Sequence, residues 1–165
     1  MPNHILLVDD ESDVLLVLAD LFGSRGYQVS TAGNGKEAVE LLKTIAPDLI
    51  LSDYQMPEMN GIEMLAKARI SAPDAMRILL TAHGDLDVAI EAINKADVYK
   101  FITKPWNNND LILTVQRALE HYNLIMQNRA FADTLELMVE ENTEEIGRLK
   151  SALKEMASNI RKLTG

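Results

Sequence analysis

Short apolar runs alternate with longer amphipathic stretches over the first 122 residues of the chain. The short runs, such as residues 5–8 and 49–52, are bounded by polar residues or turn residues. Between the runs, apolar side chains recur every three or four residues, as Leu15, Leu18 and Phe22 do. Short apolar runs are typical of buried parallel strands, and the longer spacing is typical of amphipathic helices. The pattern therefore predicts strands that alternate with helices.

Turn residues and changes of period set the predicted boundaries. Strands are predicted at residues 5–8, 27–32, 49–53, 76–81 and 99–103. Helices are predicted between them, at residues 11–25, 36–44, 62–70 and 86–95. A fifth helix is expected to begin near Asp110, with Asn108 or Asn109 as its N-cap. Five strands separated by helices indicate an α/β fold with a doubly wound parallel sheet.

A second pattern of apolar residues begins after the fifth predicted helix has supplied enough side chains to cover the sheet. Leu111, Val115, Leu119 and Tyr122 supply an apolar face to the fifth helix, yet apolar residues continue beyond it. This continuation, called here the apolar stripe, consists of Leu124, Phe131, Leu135, Met138, Ile146, Leu149, Leu153, Met156, Ile160 and Leu163. The chain is therefore expected to divide into a domain at residues 1–122 and a long C-terminal helix at residues 123–165.

The spacing of the apolar stripe is that of a coiled coil, with Asn128 and Asn142 at seam positions. An extra step near Asn142 gives spacings of three, four and four, a stutter that locally unwinds a supercoil. We expect a helix that continues to near Lys162 and pairs in parallel with a second copy, as a homodimer. The alternative is a helix that folds back on its own domain or frays.

Composition narrows the classes of function. The formal net charge of −9 and the pI near 4.8 argue against a large nucleic-acid surface, which needs clustered basic residues. The absence of cysteine excludes disulfides, thiolate zinc sites and thiol catalysis. No apolar run approaches the roughly 20 residues that span a bilayer, and residues 1–4 lack the features of a signal peptide. We expect a cytoplasmic protein with no membrane partner.

Polar residues suited to phosphoryl chemistry stand at the ends of four predicted strands. Asp9 and Asp10 follow the first strand, and Asp53 ends the third. Thr81 ends the fourth strand, and Lys104 follows the fifth. Because the carboxyl ends of parallel strands share one edge of the sheet, these side chains are expected to converge. Each residue alone is as well explained as a strand terminator or a helix cap, but the whole set favours a reaction site.

The charges of these residues suggest the chemistry. The three carboxylates repel one another unless a cation intervenes, and a few hard oxygen ligands suit Mg2+. Asp53 is the natural nucleophile, since carboxylates can form acyl phosphates. Lys104 offers a positive charge to phosphate oxygens, and Thr81 offers a hydroxyl donor.

These segments together resemble the CheY-like receiver domain of two-component response regulators. The matching segments are residues 5–11, 53–61, 81–82 and 101–105. The resemblance covers residues 1–122 and implies a flavodoxin-like fold. It implies that a sensor histidine kinase or a phosphotransfer protein phosphorylates Asp53, with Mg2+ as the cofactor. It further implies Asp10 as a direct metal ligand, Asp9 mainly through water, and the backbone carbonyl of Gln55 as another ligand.

The resemblance also implies roles for the residues on the neighbouring strands. Thr81 and Phe101 match a coupled switch pair, and Ala82 follows Thr81 in the phosphate-binding segment. Lys104 matches a phosphate-binding lysine, and its bond to Pro105 is expected to be cis.

Three positions depart from the common pattern or vary within it. Asn60 stands where many members carry Asp, a variation expected to leave the site intact. Asp97 stands where many carry glycine before the fifth strand, so that loop is expected to differ. His83, two positions beyond Thr81, lies where members vary and tune the access of water to the phosphate.

The sequence also bears on the output domain that such a receiver would control. Residues 98–106 and 117–122 are similar to receivers fused to HD-GYP phosphodiesterases, diguanylate cyclases or histidine kinases, whose signature residues this chain lacks. The chain is therefore expected to be a phosphorylation switch that acts through its C-terminal helix on an output domain elsewhere, and not an enzyme on external substrates. A stand-alone phosphorelay or scaffold protein is one alternative. An aspartyl-phosphate phosphohydrolase is another, although the second Asp that the haloacid-dehalogenase type needs is here Gln55.

Overall fold

Five parallel strands form one sheet in the computed structural model, which describes residues 1–82 and 86–165. The strands are β1 (His4–Val8), β2 (Gln28–Ala32), β3 (Leu49–Asp53), β4 (Met76–Thr81) and β5 (Lys100–Thr103). Their spatial order is β2-β1-β3-β4-β5, and every neighbouring pair is parallel. The predicted strands and the doubly wound, flavodoxin-like sheet are confirmed, with strand ends that differ from the prediction by one residue at most.

The helices that connect the strands also correspond to the predicted ones. They are α1 (Ser12–Gly23), α2 (Gly35–Leu41), α3 (Gly61–Ser71), α4 (Leu86–Ala96) and α5 (Asn108–Thr164). Helices α1 and α2 are shorter than predicted, because each chain segment leaves the helix through turns, at residues 24–26 and 42–44.

The predicted N-cap of α5 was wrong. The side-chain oxygen of Asn107 accepts hydrogen bonds from the backbone N–H groups of Asn109, at 2.8 Å, and Asp110, at 3.3 Å. The cap is therefore Asn107, because a cap must lie two or three residues before the N–H groups that it satisfies. Asn108 instead accepts a hydrogen bond from the ring N–H of Trp106.

The two faces of the sheet are covered by different helices. Side chains of alternating strand residues point to opposite faces, so Leu6 and Val8 join one buried cluster while Ile5 and Leu7 join the other. The first cluster includes residues of α2, α3 and α4, and the second includes residues of α1 and α5. The predicted sheet-facing side of α5 is confirmed at Leu111, Val115 and Leu119, which are buried.

A buried arginine joins the amino end of β4 to the end of α4. Arg77 donates hydrogen bonds to the carbonyls of Pro73, Ala75, Ala96 and Asp97, and also to the Asp97 carboxylate at 3.1 Å. Burial lowers the pKa of the guanidinium, and Asp97 opposes that shift. Asp97 itself has φ of 49°, in the left-handed region that favours glycine. The backbone here is therefore glycine-like, although the residue is Asp and not the glycine that many receivers carry.

A second polar network lies at the amino edge of the sheet. The Asn3 and Asn123 side chains exchange two amide hydrogen bonds, at 3.0 and 3.2 Å. Asn3 also donates to the Asp48 carboxylate, which accepts the backbone N–H of His4 as well. The start of the chain is thereby tied to a residue of α5 that lies 120 positions later.

The chain divides into two compact units, Met1–Asn123 and Leu124–Gly165. Within the second unit, the side chains of the apolar stripe are exposed. Among residues 1–82 and 86–165, no helix has both the length and the apolar character needed to cross a membrane.

We predict that Gly61→Ala destabilises the fold by about 2 kcal/mol or more, as overpacking does. A Cβ at Gly61 would overlap the backbone oxygen of Asp53 and would lie 2.8 Å from Leu79 Cδ1. The matched control is Gly23→Ala, since nothing lies within 4 Å of a Cβ there. Urea unfolding should show a lower midpoint for Gly61→Ala and an unchanged or slightly higher one for Gly23→Ala. Equal midpoints for the two variants would contradict the close approach of α3 to β3.

Candidate functional site

Two neighbouring strands deliver the acidic residues. Asp9 and Asp10 follow β1, and Asp53 is the last residue of β3. Val8 lies opposite Ser52 in the β1–β3 pairing, so the ends of the two strands are level. The strand order reverses here, because β2 lies on the other side of β1. Ligand sites in open α/β sheets form at such switch points.

The three aspartates form one cluster, as the sequence predicts. A carboxylate oxygen from each of Asp9, Asp10 and Asp53 lies within 4.8 Å of one from each of the others. Asp9 and Asp53 are buried, whereas Asp10 is exposed. Asp9 is held in place by a hydrogen bond of 2.9 Å that its Oδ1 accepts from the backbone N–H of Glu11.

Lys104 joins this cluster from the opposite side. Its Nζ lies 3.1 Å from Asp9 Oδ2 and 3.0 Å from Asp53 Oδ1, so a single ammonium bridges two carboxylates. The backbone N–H of Lys104 donates to the carbonyl of Thr81 at 2.7 Å, which fixes this segment to the end of β4. The peptide bond between Lys104 and Pro105 is cis.

Burial and charge act in opposite directions on the ionisation of the site. Burial raises the pKa of Asp53; Lys104 opposes the rise, and the charges of Asp9 and Asp10 add to it. For Lys104, burial acts to lower the pKa, but the hydrogen bonds and charges of Asp53 and Asp9 outweigh it and raise the pKa overall. The Lys104 amine is therefore a stable cation beside the three carboxyl groups.

The other predicted site residues lie on β4, on β5 and in the segments that follow β3 and β4. Thr81 is buried at the end of β4, next to the strand that ends at Asp53, where Asp53 pairs with Leu80. Ala82 and Gln55 are exposed. Phe101 is 40% exposed on β5, with Leu79 of β4 as its pairing partner. His83 lies outside the described residues.

The loop between Asp53 and α3 contains features that the sequence analysis missed. Glu58 has φ of 67° and forms an exposed ion pair of 2.6 Å with Lys36 of α2. Nothing in the sequence pairs two residues so far apart.

The capping of α3 at its amino end, by contrast, could have been predicted from the sequence. The Asn60 side chain accepts from the N–H of Glu63, and the Glu63 carboxylate accepts from the N–H of Asn60, which together form a capping box. The Asn-x-x-Glu spacing signals this motif. Asn and Asp are about equally good N-caps, which explains why Asn is accommodated here.

The residues present fit a magnesium ion. Mg2+ prefers hard oxygen ligands and usually takes one or two carboxylates while it keeps several waters. The cluster offers three carboxylates, one of them exposed, at the open edge of the sheet. A divalent cation would also offset the charges of Asp9 and Asp10, which add to the rise that burial causes in the pKa of Asp53.

Comparisons with known proteins agree with this geometry. The model of the family described as the response regulator receiver domain matches residues 5–116. The regulatory protein AtoC of Escherichia coli (strain K12) is 38% identical over 118 residues, which are 72% of this chain and 25% of AtoC. The chain thus spans about a quarter of the length of such curated relatives.

Solved structures give the same result. The signal receiver domain of an HD domain-containing protein from Pseudomonas fluorescens Pf-5 is 34% identical, with a TM-score of 0.72. That match covers 74% of this chain and 98% of that one. A structure described as an adenylate cyclase from Rhodopirellula baltica is 30% identical, with a TM-score of 0.74 over 81% of this chain and 98% of that one.

Receiver domains are signalling domains that accept phosphate from histidine kinases or phosphotransfer proteins and bind Mg2+ at an acidic pocket. The family model spans more than half of this sequence and includes the whole cluster around Asp53. The chain therefore belongs to the receiver domain family of two-component response regulators.

Proposed function

We propose that Asp53 is the phosphoacceptor of this receiver and that a sensor histidine kinase or a phosphotransfer protein is the donor. The observation that carries the proposal is the position of the Asp53 carboxylate, which lies 3.0 Å from the Lys104 ammonium and beside Asp9 and Asp10. Asp9 is buried, with one carboxylate oxygen bonded to the Glu11 N–H and the other paired with Lys104, whereas Asp10 is exposed to solvent. Asp53 therefore combines a cationic neighbour with a place at the open end of the sheet.

The transfer is a displacement at phosphorus. A carboxylate oxygen of Asp53 attacks the phosphorus of the phosphohistidine, and a new P–O bond forms as the P–N bond breaks. The imidazole leaves with the electron pair of the broken bond and takes up a proton. Lys104 stands where its positive charge can neutralise the oxygens of the transferred group.

The metal ligands are proposed to be Asp10 and Asp53 directly, the backbone carbonyl of Gln55, and Asp9 mainly through water. When bound, Mg2+ supplies the positive charge that lets an anionic phosphoryl group approach three carboxylates. Asp9 holds Lys104 in position throughout, since it is buried and bonded to the ammonium.

Residues at and near the ends of the neighbouring strands then respond to the phosphoryl group on Asp53. We propose that the Thr81 hydroxyl, together with the segment at Ala82, binds the new phosphate oxygens, and that Phe101 responds to this change from β5. The signal passes on through the C-terminal helix to an output domain. In this role the chain catalyses only its own phosphorylation and dephosphorylation.

A phosphohydrolase is the rival reading, and stoichiometry separates the two. A switch takes up one phosphoryl group per chain, whereas a hydrolase turns over many substrate molecules. Gln55, two positions after Asp53, offers no carboxylic acid to protonate a leaving group.

We predict that Asp53→Asn abolishes phosphorylation. Wild type incubated with acetyl phosphate and Mg2+ should gain a single phosphoryl group by intact mass, and the variant should gain none. Asp20→Asn, a change at an exposed aspartate on α1, is the matched control and should label like wild type. Labelling of Asp53→Asn at the wild-type rate would refute the assignment.

Lys104→Ala should bind Mg2+ at least as well as wild type but accept phosphate at least about tenfold more slowly, the effect of losing a charged hydrogen bond. The reason is that the ammonium opposes a cation but favours the phosphate. The single tryptophan, Trp106, lies two residues beyond Lys104 and provides a fluorescence signal for both titrations. The control is Lys100→Ala, at an exposed lysine on β5, the strand that Lys104 follows, and this change should affect neither measurement. Wild-type labelling by Lys104→Ala would exclude the proposed role.

Asp10→Asn should raise the melting temperature of the metal-free chain by a few degrees and reduce the further rise caused by Mg2+. The raised pKa of Asp53 means that stability is lost as the pH rises through that pKa, and removing the Asp10 charge lessens this loss. Mg2+ stabilises a fold that holds its ligands. Differential scanning calorimetry with and without Mg2+ measures both effects, and Asp20→Asn again serves as the control. An equal Mg2+ shift in Asp10→Asn and wild type would remove Asp10 from the ligand set.

A further inference from the structure

The apolar stripe is a continuous surface without a covering element in its own unit. Each of its side chains, from Leu124 to Leu163, is between 45% and 86% exposed. The stripe extends over 40 residues of helix, a length of about 60 Å. Isolated exposed apolar residues are common, but a contiguous band of this length marks an interaction surface.

The spacing of the stripe selects the kind of partner. Its apolar residues, together with Asn128 and Asn142, repeat at intervals of three and four positions, which keeps the seam facing one other helix as the two wind around each other. The two polar seam residues, Asn128 and Asn142, have no match on an unrelated apolar helix. Each finds a partner amide when the same residue of an identical helix lies opposite, because an amide is both donor and acceptor.

A charged pair beside the seam distinguishes parallel from antiparallel pairing. With Ile146 and Leu149 on the seam, Glu145 and Lys150 flank it on opposite sides. In a parallel, in-register pair, a flanking residue lies beside the residue five positions later on the other helix, so Glu145 faces Lys150. In the described part of the single chain, neither residue has a salt bridge within its own helix, whereas Glu144 pairs with Arg148 on the outer face.

We propose that a second copy of this chain covers the apolar stripe in a parallel, in-register, two-stranded coiled coil, with Glu145 of each copy paired to Lys150 of the other. This interface goes beyond the proposed phosphoryl chemistry and does not depend on it.

The seam widens where the spacing changes. Between Leu135 and Ile146 the seam takes eleven residues instead of seven, a period that removes the left-handed supercoil locally. Val139, which is 63% exposed, then shares the seam with Met138. Glu145 and Lys150 lie close to this segment. Their pairing therefore fixes the register of the two helices where the apolar pattern alone specifies that register least.

Cysteine cross-linking tests the interface, because the natural chain contains no cysteine. Leu149→Cys places a thiol on the seam, and Ser151→Cys places one on the outer face two residues later. In the full chain at micromolar concentration, mild oxidation should convert Leu149→Cys into a covalent dimer and leave Ser151→Cys largely monomeric. Equal cross-linking of the two variants, or a monomeric wild-type chain by light scattering, would overturn the proposal.

Charge reversal tests the register. Glu145→Lys and Lys150→Glu should each raise the dimer dissociation constant about fivefold, as expected for two exposed ion pairs. The double variant should regain the wild-type value, and a double variant as weak as the single ones would overturn the proposed pairing. Asp53→Asn should dimerise like wild type, so a failure of the interface is distinguishable from a failure of the phosphoacceptor assignment.

Discussion

Repulsion among three carboxylates at one edge of the sheet is the constraint on which the site depends. Asp9, Asp10 and Asp53 are forced together because β1 and β3 are adjacent, parallel and level at their ends. Burial does most to raise the pKa of Asp53, the charges of Asp9 and Asp10 raise it further, and the Lys104 ammonium opposes the rise. A cation bound at this edge of the sheet would offset that repulsion. Any ligand that adds positive charge, or that rearranges the contacts of Lys104, changes the free energy of this edge of the fold.

Packing in the rest of the domain keeps the three carboxylates close together despite their repulsion. The strands that carry the aspartates lie inside the sheet and are buried on both faces, so their ends have little freedom to separate. Helix α3 begins so close to Asp53 that Gly61 has no room for a side chain. At the opposite end of β4, Arg77 ties the strand to the last turn of α4 through carbonyl groups. The packing thus fixes the positions of the strand ends that carry the site residues.

The sequence predicted most of this arrangement, because its information is local and periodic. Each apolar run marks a strand, and parallel strands must end at a common edge, so the meeting of Asp53 with Lys104 follows from order along the chain. What escaped prediction depends on distance in space. A charged residue such as Arg77 is unexpected in a buried strand, and only the structure shows that the carbonyls of Ala96 and Asp97 accept its hydrogen bonds. Similarly, no pattern in the sequence links Lys36 to Glu58. The cap at Asn107 was missed among three consecutive asparagines, any of which has the right chemistry.

The hydrogen bonds between Asn3 and Asn123 have a consequence for the synthesis of the protein. They close the first unit on itself, since one partner lies just before β1 and the other is the last residue of that unit. Both hydrogen-bond partners are therefore present in a growing chain before the first residue of the apolar stripe is added. The folding of the first unit therefore does not require the apolar stripe to have been translated, because domains generally fold as units during synthesis.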